Sequence, residues 1–192
     1  MTSVLDKFRF LFRRSKWQEE AHLLYTTLVE QARLPVFYDQ GGVPDSLDGR
    51  FDLISIHAFL VMRRLKSNNA EADALSQTLF NVMFGDMDGA LREIGVSDLA
   101  VGKRIKDMVT AFYGRVDAYE NALSQDAGAE GDQLCLALQR NLYRNMEHTS
   151  EQLAAVARYI RAEIDNLAGQ SLADIMSGRV VYGAPPAADG WG

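Results

Sequence analysis

The 192-residue chain has one cysteine, four prolines, three histidines and no long apolar run. Each scarcity excludes something. Cys135 alone closes no internal disulfide, so a disulfide-stapled extracellular fold is excluded and a reducing compartment is expected. The longest apolar candidate, Leu53 to Met62, contains Ser55 and His57 and ends at Arg63-Arg64, well short of the roughly 20 residues that span a bilayer. A secretory signal needs an unbroken apolar stretch after its basic start, and Arg9 interrupts the one from Phe8 to Phe12. Positive charge is scarce overall: the net charge of −6 at pH 7 argues against DNA as a partner. Apolar residues make up 47% of the chain and charged residues 24%, the balance of a globular protein long enough to fill one core.

The sum of −6 hides an asymmetry. Residues 1 to 17 hold five basic side chains, Lys7, Arg9, Arg13, Arg14 and Lys16, against Asp6 alone, which leaves residues 18 to 192 at −10. At 100° per residue Val4, Leu5, Phe8, Leu11 and Phe12 share one helical arc and the basic residues occupy the rest. Phe10 and Trp17 sit off that arc. The pattern is that of a basic amphipathic segment on an anionic membrane surface, with Phe8, Arg9, Leu11, Phe12, Arg13, Arg14 and Trp17 as its contacts. Two other readings fit it as well: the arc docks on the domain, or the segment is a remnant of a mitochondrial targeting peptide.

Beyond it, helical spacing dominates. The periodicity predicts helices over about 17–34, 51–66, 70–85, 88–94, 98–123, 132–146 and 150–167, with Val36 to Tyr38 briefly extended and a turn-rich stretch from Asp39 to Gly49. The 51–66 helix is apolar on nearly every side and should be central. Residues 124–131 read as a linker. The chain is therefore expected to be all-α: a basic segment at 1–17, one compact multi-helix domain at 18–178 and a flexible tail at 179–192.

Chemistry is sparse in this pattern. His22, His57 and His148 lie on separate elements without the i, i+4 spacing of a helical metal site, so neither a metal nor another cofactor is expected. His57, within the most apolar helix, reads as a hydrogen-bonded core histidine rather than a base, and Cys135 as a small buried hydrophobe. Gly95 to Arg104 resembles a phosphate loop only superficially, because six residues separate its glycines and no strand precedes it. Lys103, Arg104 and Lys106 form a basic cluster that is either a solvated face or a contact for an acidic partner. On the helical wheel Arg104 and Arg115 flank the apolar stripe, whereas Lys103 and Lys106 point away from it. The two arginines are expected to pair with acids of the 39–52 stretch such as Asp45, Asp48 or Asp52.

Two blocks carry more information: LPVFYDQGGVPDSLDGRFDLISIHAFLVMRRLK, residues 34 to 66, and GDMDGALREIGVSDLAVGKRIKDMVTAFYGR, residues 85 to 115. Together they resemble the ubiquinol–cytochrome c chaperone family, the assembly factors of the cytochrome bc1 complex, over about residues 20 to 165. That resemblance implies an all-helical, non-enzymatic protein that engages newly made cytochrome b at the inner membrane. It would sit there peripherally, on the cytoplasmic face in a bacterium or the matrix side in a mitochondrion, where the family also works with a small partner protein and at the ribosome. The length favours a bacterial member, for which that small partner is in doubt. The matched positions Asp45, Asp48, Gly49, Arg50, Asp52, Asp86, Asp88, Arg92, Asp98, Lys103, Arg104, Tyr113 and Arg115 become candidates for a partner surface or its supporting network. A client with membrane-spanning helices also calls for an exposed apolar groove, to which Met83, Phe84, Met87 and Met108 could contribute unless they pack in the core. Two alternatives remain: a ribosome- or RNA-associated protein using residues 1–17 and Lys103 to Lys106, and a protein acting on a lipid or quinone headgroup through His57 with Asp52 or Arg50.

Overall fold

A computed structural model describes residues 16–67, 69–125, 132–144, 146–186 and 188–191. Among them every regular element is a helix: α1 Gln18–Ala32, α2 Val36–Asp39, α3 Leu47–Leu65, α4 Ala70–Glu93, α5 Asp98–Gln125, α6 Gln133–Leu138, α7 Ser150–Gly169 and α8 Leu172–Met176, with a π-turn at Gln139–Tyr143 and a 3-10 turn at Ala188–Trp191.

The apolar helix is the axis of the fold. In α3 every residue from Phe51 to Val61 is buried, including Asp52, Ser55 and His57, because α1, α4, α5, α7 and α8 all pack around it. Serine at position 46 starts α3 by accepting the Gly49 amide, and Asn69 starts α4 by accepting that of Glu71. The helix α7 opens on a capping box in which Thr149 and Gln152 satisfy one another's amides. Replacing Thr149 with alanine leaves the Gln152 amide unpaired and should lower stability by about 1 kcal/mol in urea unfolding.

Three local expectations are corrected. Val36 to Tyr38 is helical rather than extended, because Pro35 both ends α1 and, with its fixed φ, begins the next turn, where its carbonyl accepts the Asp39 amide at 2.9 Å. The pieces expected at 70–85 and 88–94 are one helix. Gly85 and Gly89 do not break it, since the buried stripe Leu79, Met83, Phe84, Met87 and Leu91 runs through both. The helix expected over 132–146 is α for six residues only; it then widens into the π-turn and ends at Arg144, whose φ of 53° is rare for a residue with a Cβ.

Of the segment expected as a flexible tail, residues 179–183 run along α7. Glu163, 2% exposed, accepts the Gly183 amide, Gln170 brackets the backbone of Val181, and the Tyr182 hydroxyl donates to the His57 carbonyl at 3.2 Å. Trp191 meets the edge of Phe37. No helix among the described residues is long and apolar enough to cross a membrane.

Candidate functional site

The site begins with a glycine that only a glycine can replace. A Cβ at Gly49 would lie 2.0 Å from the Pro44 carbonyl oxygen, so the first turn of α3 closes tightly on the preceding loop and sets Asp52 one turn further in. Asp52 is 1% exposed. There it meets Arg115 of α5, whose Nη2 lies 2.6 Å from Oδ1, and Arg144 after the π-turn, whose Nη2 lies 2.8 Å from Oδ2 and 3.0 Å from Oδ1. The Arg144 Nη1 reaches towards Asp48 at 3.8 Å, and the Arg115 guanidinium lies over the Phe51 ring at 5.4 Å. Burial pushes the Asp52 carboxyl up, to about 7, while the two guanidinium groups pull it down. Asp52 belongs to the first sequence block and Arg115 to the second, so this buried pair fastens the two together.

The pairing expected for Arg115 is thus met by Asp52. Arg104 instead is exposed. Arg144 was not visible to sequence reasoning, because nothing in its surroundings marks it and its partner lies 92 positions away.

Two turns further along α3 from Asp52 lies a groove of about 370 Å³ between α3, α4 and α5. Its floor is aromatic and aliphatic: Phe59, Met62, Phe80, Phe112, Tyr113 and Val116. Tyr113 stacks on Phe80 with ring centroids 5.5 Å apart, and the ring of Tyr119, which stands one turn beyond Arg115, leans on Phe59 at 5.7 Å. The rim carries Asp73, Asp117, Lys66 and the Arg63–Glu120 ion pair. Asp52 and Phe59 are seven residues apart on α3, so the charged cluster and the groove share one face of that helix, two turns apart. Of the four residues suggested for such a groove, Met83, Phe84 and Met87 are core residues and Met108 is half-buried against the core, so the methionine contribution is corrected to Met62 alone.

The remaining candidates are dispersed. Asp45 and Arg50 pair at 2.6 Å on the exposed entry to α3. Arg92 bridges Asp88 and Asp98 across the corner between α4 and α5, and Asp86 accepts the Tyr25 hydroxyl at 2.7 Å. Lys103 is exposed on α5. Trp17 packs partly against the core, with the Lys16 ammonium 4.7 Å above its ring. Phe8, Arg9, Leu11, Phe12, Arg13 and Arg14 lie outside the described residues.

His57 is fully buried, and both its ring nitrogens are engaged. Nδ1 lies 2.8 Å from the Leu53 carbonyl and so carries the proton; Nε2 then accepts from the Tyr159 hydroxyl at 2.9 Å, which in turn accepts from Gln31. Burial pulls the imidazole down to about 4. A histidine so enclosed presents no nitrogen to a headgroup, which removes the base that the lipid or quinone reading required.

A family model described as ubiquinol-cytochrome C chaperone matches residues 39–182. The chain is 22% identical over 173 residues to the ubiquinol-cytochrome-c reductase complex assembly factor 1 of Xenopus laevis, a match that covers 88% of this chain and 84% of that one. The Homo sapiens protein of the same name is 24% identical over 189 residues, 94% of this chain and 61% of its own length. A crystal structure of the Cbp3 homolog from Brucella abortus superposes with a TM-score of 0.76 and 34% identity, covering 97% of this chain and 98% of that one.

Proposed function

The chain belongs to the ubiquinol-cytochrome C chaperone family, and from that premise we propose that it assists assembly of the cytochrome bc1 complex by holding newly made cytochrome b at the membrane surface. The observation that carries this reading is the family match across residues 39–182, which takes in the second sequence block, all but the first five residues of the first, and the groove between α3, α4 and α5. The names of the frog and human relatives attach them to assembly of the same complex.

The groove supplies a chemistry for the client. An apolar helix that has left the ribosome without its partners exposes side chains that an aromatic floor accepts with little directional demand, while a charged rim keeps the empty groove wetted. Phe80, Phe112 and Tyr113 form that floor, and Tyr113 is the matched residue of the three. In this reading the Asp52–Arg115–Arg144 cluster holds α3 and α5 at the spacing the groove needs and does not touch the client. The membrane in question is the inner one, approached from the cytoplasmic face or the mitochondrial matrix.

Affinity capture with the full chain from detergent-solubilised membranes tests it. Cytochrome b should be recovered, and Val116→Glu, which places a charge on the groove floor, should lower recovery at least about tenfold at a temperature where circular dichroism shows the variant still folded, the half-buried position costing some stability. Capture of no bc1 subunit, together with normal bc1 levels in a deletion strain, would overturn the proposal.

A further inference from the structure

The outward face of α5 is not what an acidic body predicts. Taking successive residues at 100°, the core-facing side of α5 holds Val101, Ile105, Phe112 and Arg115, and the opposite side holds Leu99, Gly102, Lys103, Lys106, Thr110 and Tyr113. All six are exposed. Leu99 is 93% exposed, the most open of the large apolar side chains described, and across the corner Ile94 is 64% exposed. Neither lysine has an ion-pair partner among the described residues. The acids nearest in sequence are otherwise placed: Asp98 is held by Arg92, Glu93 ends α4, Asp107 stands towards the side of the helix, and Asp117 closes the far end of the face at the groove rim.

We infer that this face, Leu99 to Tyr113, is a lipid-contact stripe that lays α5 along an anionic membrane surface, with Leu99 and Ile94 entering the headgroup layer and Lys103 and Lys106 meeting lipid phosphates. Charge complementarity selects the occupant. Residues 18 to 192 carry −10, so the body as a whole is repelled by an anionic leaflet, and the turn that faces it has to be locally basic to approach at all. The apolar pair decides between polyanions: a leucine and an isoleucine add nothing to contacts with nucleic-acid phosphates but transfer favourably from water into the acyl boundary. The stripe, fifteen residues from Leu99 to Tyr113, spans about 21 Å, fourteen steps at helical rise. Its last member, Tyr113, also lines the aromatic groove, so a molecule lying on this stripe opens its groove at headgroup depth. There a membrane-spanning client first presents its apolar side chains. The inference rests on the proposed function for that last consequence but not for the lipid contact itself.

The test is vesicle flotation of the full chain, with Arg9, Arg13 and Arg14 changed to glutamine in every sample so that the basic start does not dominate. Vesicles of phosphatidylcholine alone are compared with vesicles also containing phosphatidylglycerol. Binding is expected only to the second. Lys103→Glu with Lys106→Glu should weaken it at least about tenfold, and Leu99→Asp by several-fold, each with an unchanged melting temperature because the side chains are exposed. Binding that neither variant changes overturns the stripe. Loss on lysine reversal but not with Leu99→Asp also overturns it, because the contact is then electrostatic alone and no apolar side chain enters the headgroup layer. Capture of cytochrome b from detergent contains no bilayer, so it reads the proposed function separately: a lost stripe leaves capture intact, and failed capture leaves the flotation result standing.

Discussion

Arg115→Ala should destabilise the chain by about 3–5 kcal/mol, the largest effect expected of any single polar substitution in it. The reason is the acid left behind. Asp52 is 1% exposed and Arg115 7%, so truncating the arginine leaves a buried acid that, above about pH 7, must either hold its charge with only the half-exposed Arg144 beside it or take up a proton, and either outcome is costly. In a body of this size each kilocalorie lowers the melting temperature by roughly 2–4 °C, so the variant should melt about 6–20 °C below the wild type. Arg144→Ala should cost much less, because its side chain is 40% exposed and water takes its place. A double-mutant cycle separates the pair from its burial. Asp52→Asn in the Arg115→Ala background removes the orphaned charge and should restore part of the loss, giving a coupling energy of 1 kcal/mol or more by the usual range for contacting residues. A urea midpoint for Arg115→Ala close to that of the wild type would mean that Asp52 is not held as an ion pair. Replacing both residues by apolar ones of similar volume is a separate question. Such a swap is often neutral for stability, and capture of cytochrome b by it would show whether the pair matters for groove spacing beyond holding the fold.

The second large effect is one of pH and belongs to His57. In the unfolded chain its imidazole takes up a proton near pH 6.5, whereas the folded one, fully buried and already bonded at both nitrogens, takes none until about pH 4. Between those values the unfolded state binds more protons, so stability falls as pH falls. Below about pH 4 the accumulated loss is about 3 kcal/mol. Asp52 titrates in the opposite sense: its folded carboxyl is raised, so it keeps a proton that the unfolded chain has lost, and its contribution grows as pH drops from about 7. The wild-type curve alone therefore mixes two slopes. The comparison that isolates His57 is the difference in urea stability between wild type and His57→Gln across pH 7 to 4, in which the Asp52 contribution cancels. That difference should shrink by about 3 kcal/mol on acidification. A difference independent of pH would mean that the imidazole is protonated in the fold.

Much of the body was legible because helices announce themselves locally. Leu53 to Val61 has no polar face to give to water beyond Ser55 and His57, so its central place follows from its composition, and the reading of His57 as a bonded core residue follows from its neighbours. What misled was punctuation. Gly85 read as the end of one helix before another at 88–94, yet the buried stripe runs on through both Gly85 and Gly89 and keeps the helix continuous. Val36 to Tyr38 was expected to be briefly extended, whereas Pro35 presets a helical turn in so short a segment. Met83 and Met87 were plausible for a groove by chemistry alone, but the rotation of α4 turns both inward and brings Phe80 to the groove.

Composition and the two blocks by themselves determined the helical class, the acidic body and the family, because each is a property of residue type and local spacing. The wheel position of Arg115 even nominated its acidic partners. Only the tertiary structure decided that Asp52 is the one, that Arg144 joins from 92 residues away, and that Phe59, Phe80 and Tyr113 from three helices make one groove. Those facts depend on how helices are rotated and stacked about α3, and that packing is settled by the whole set of buried side chains at once, which no local window of sequence contains.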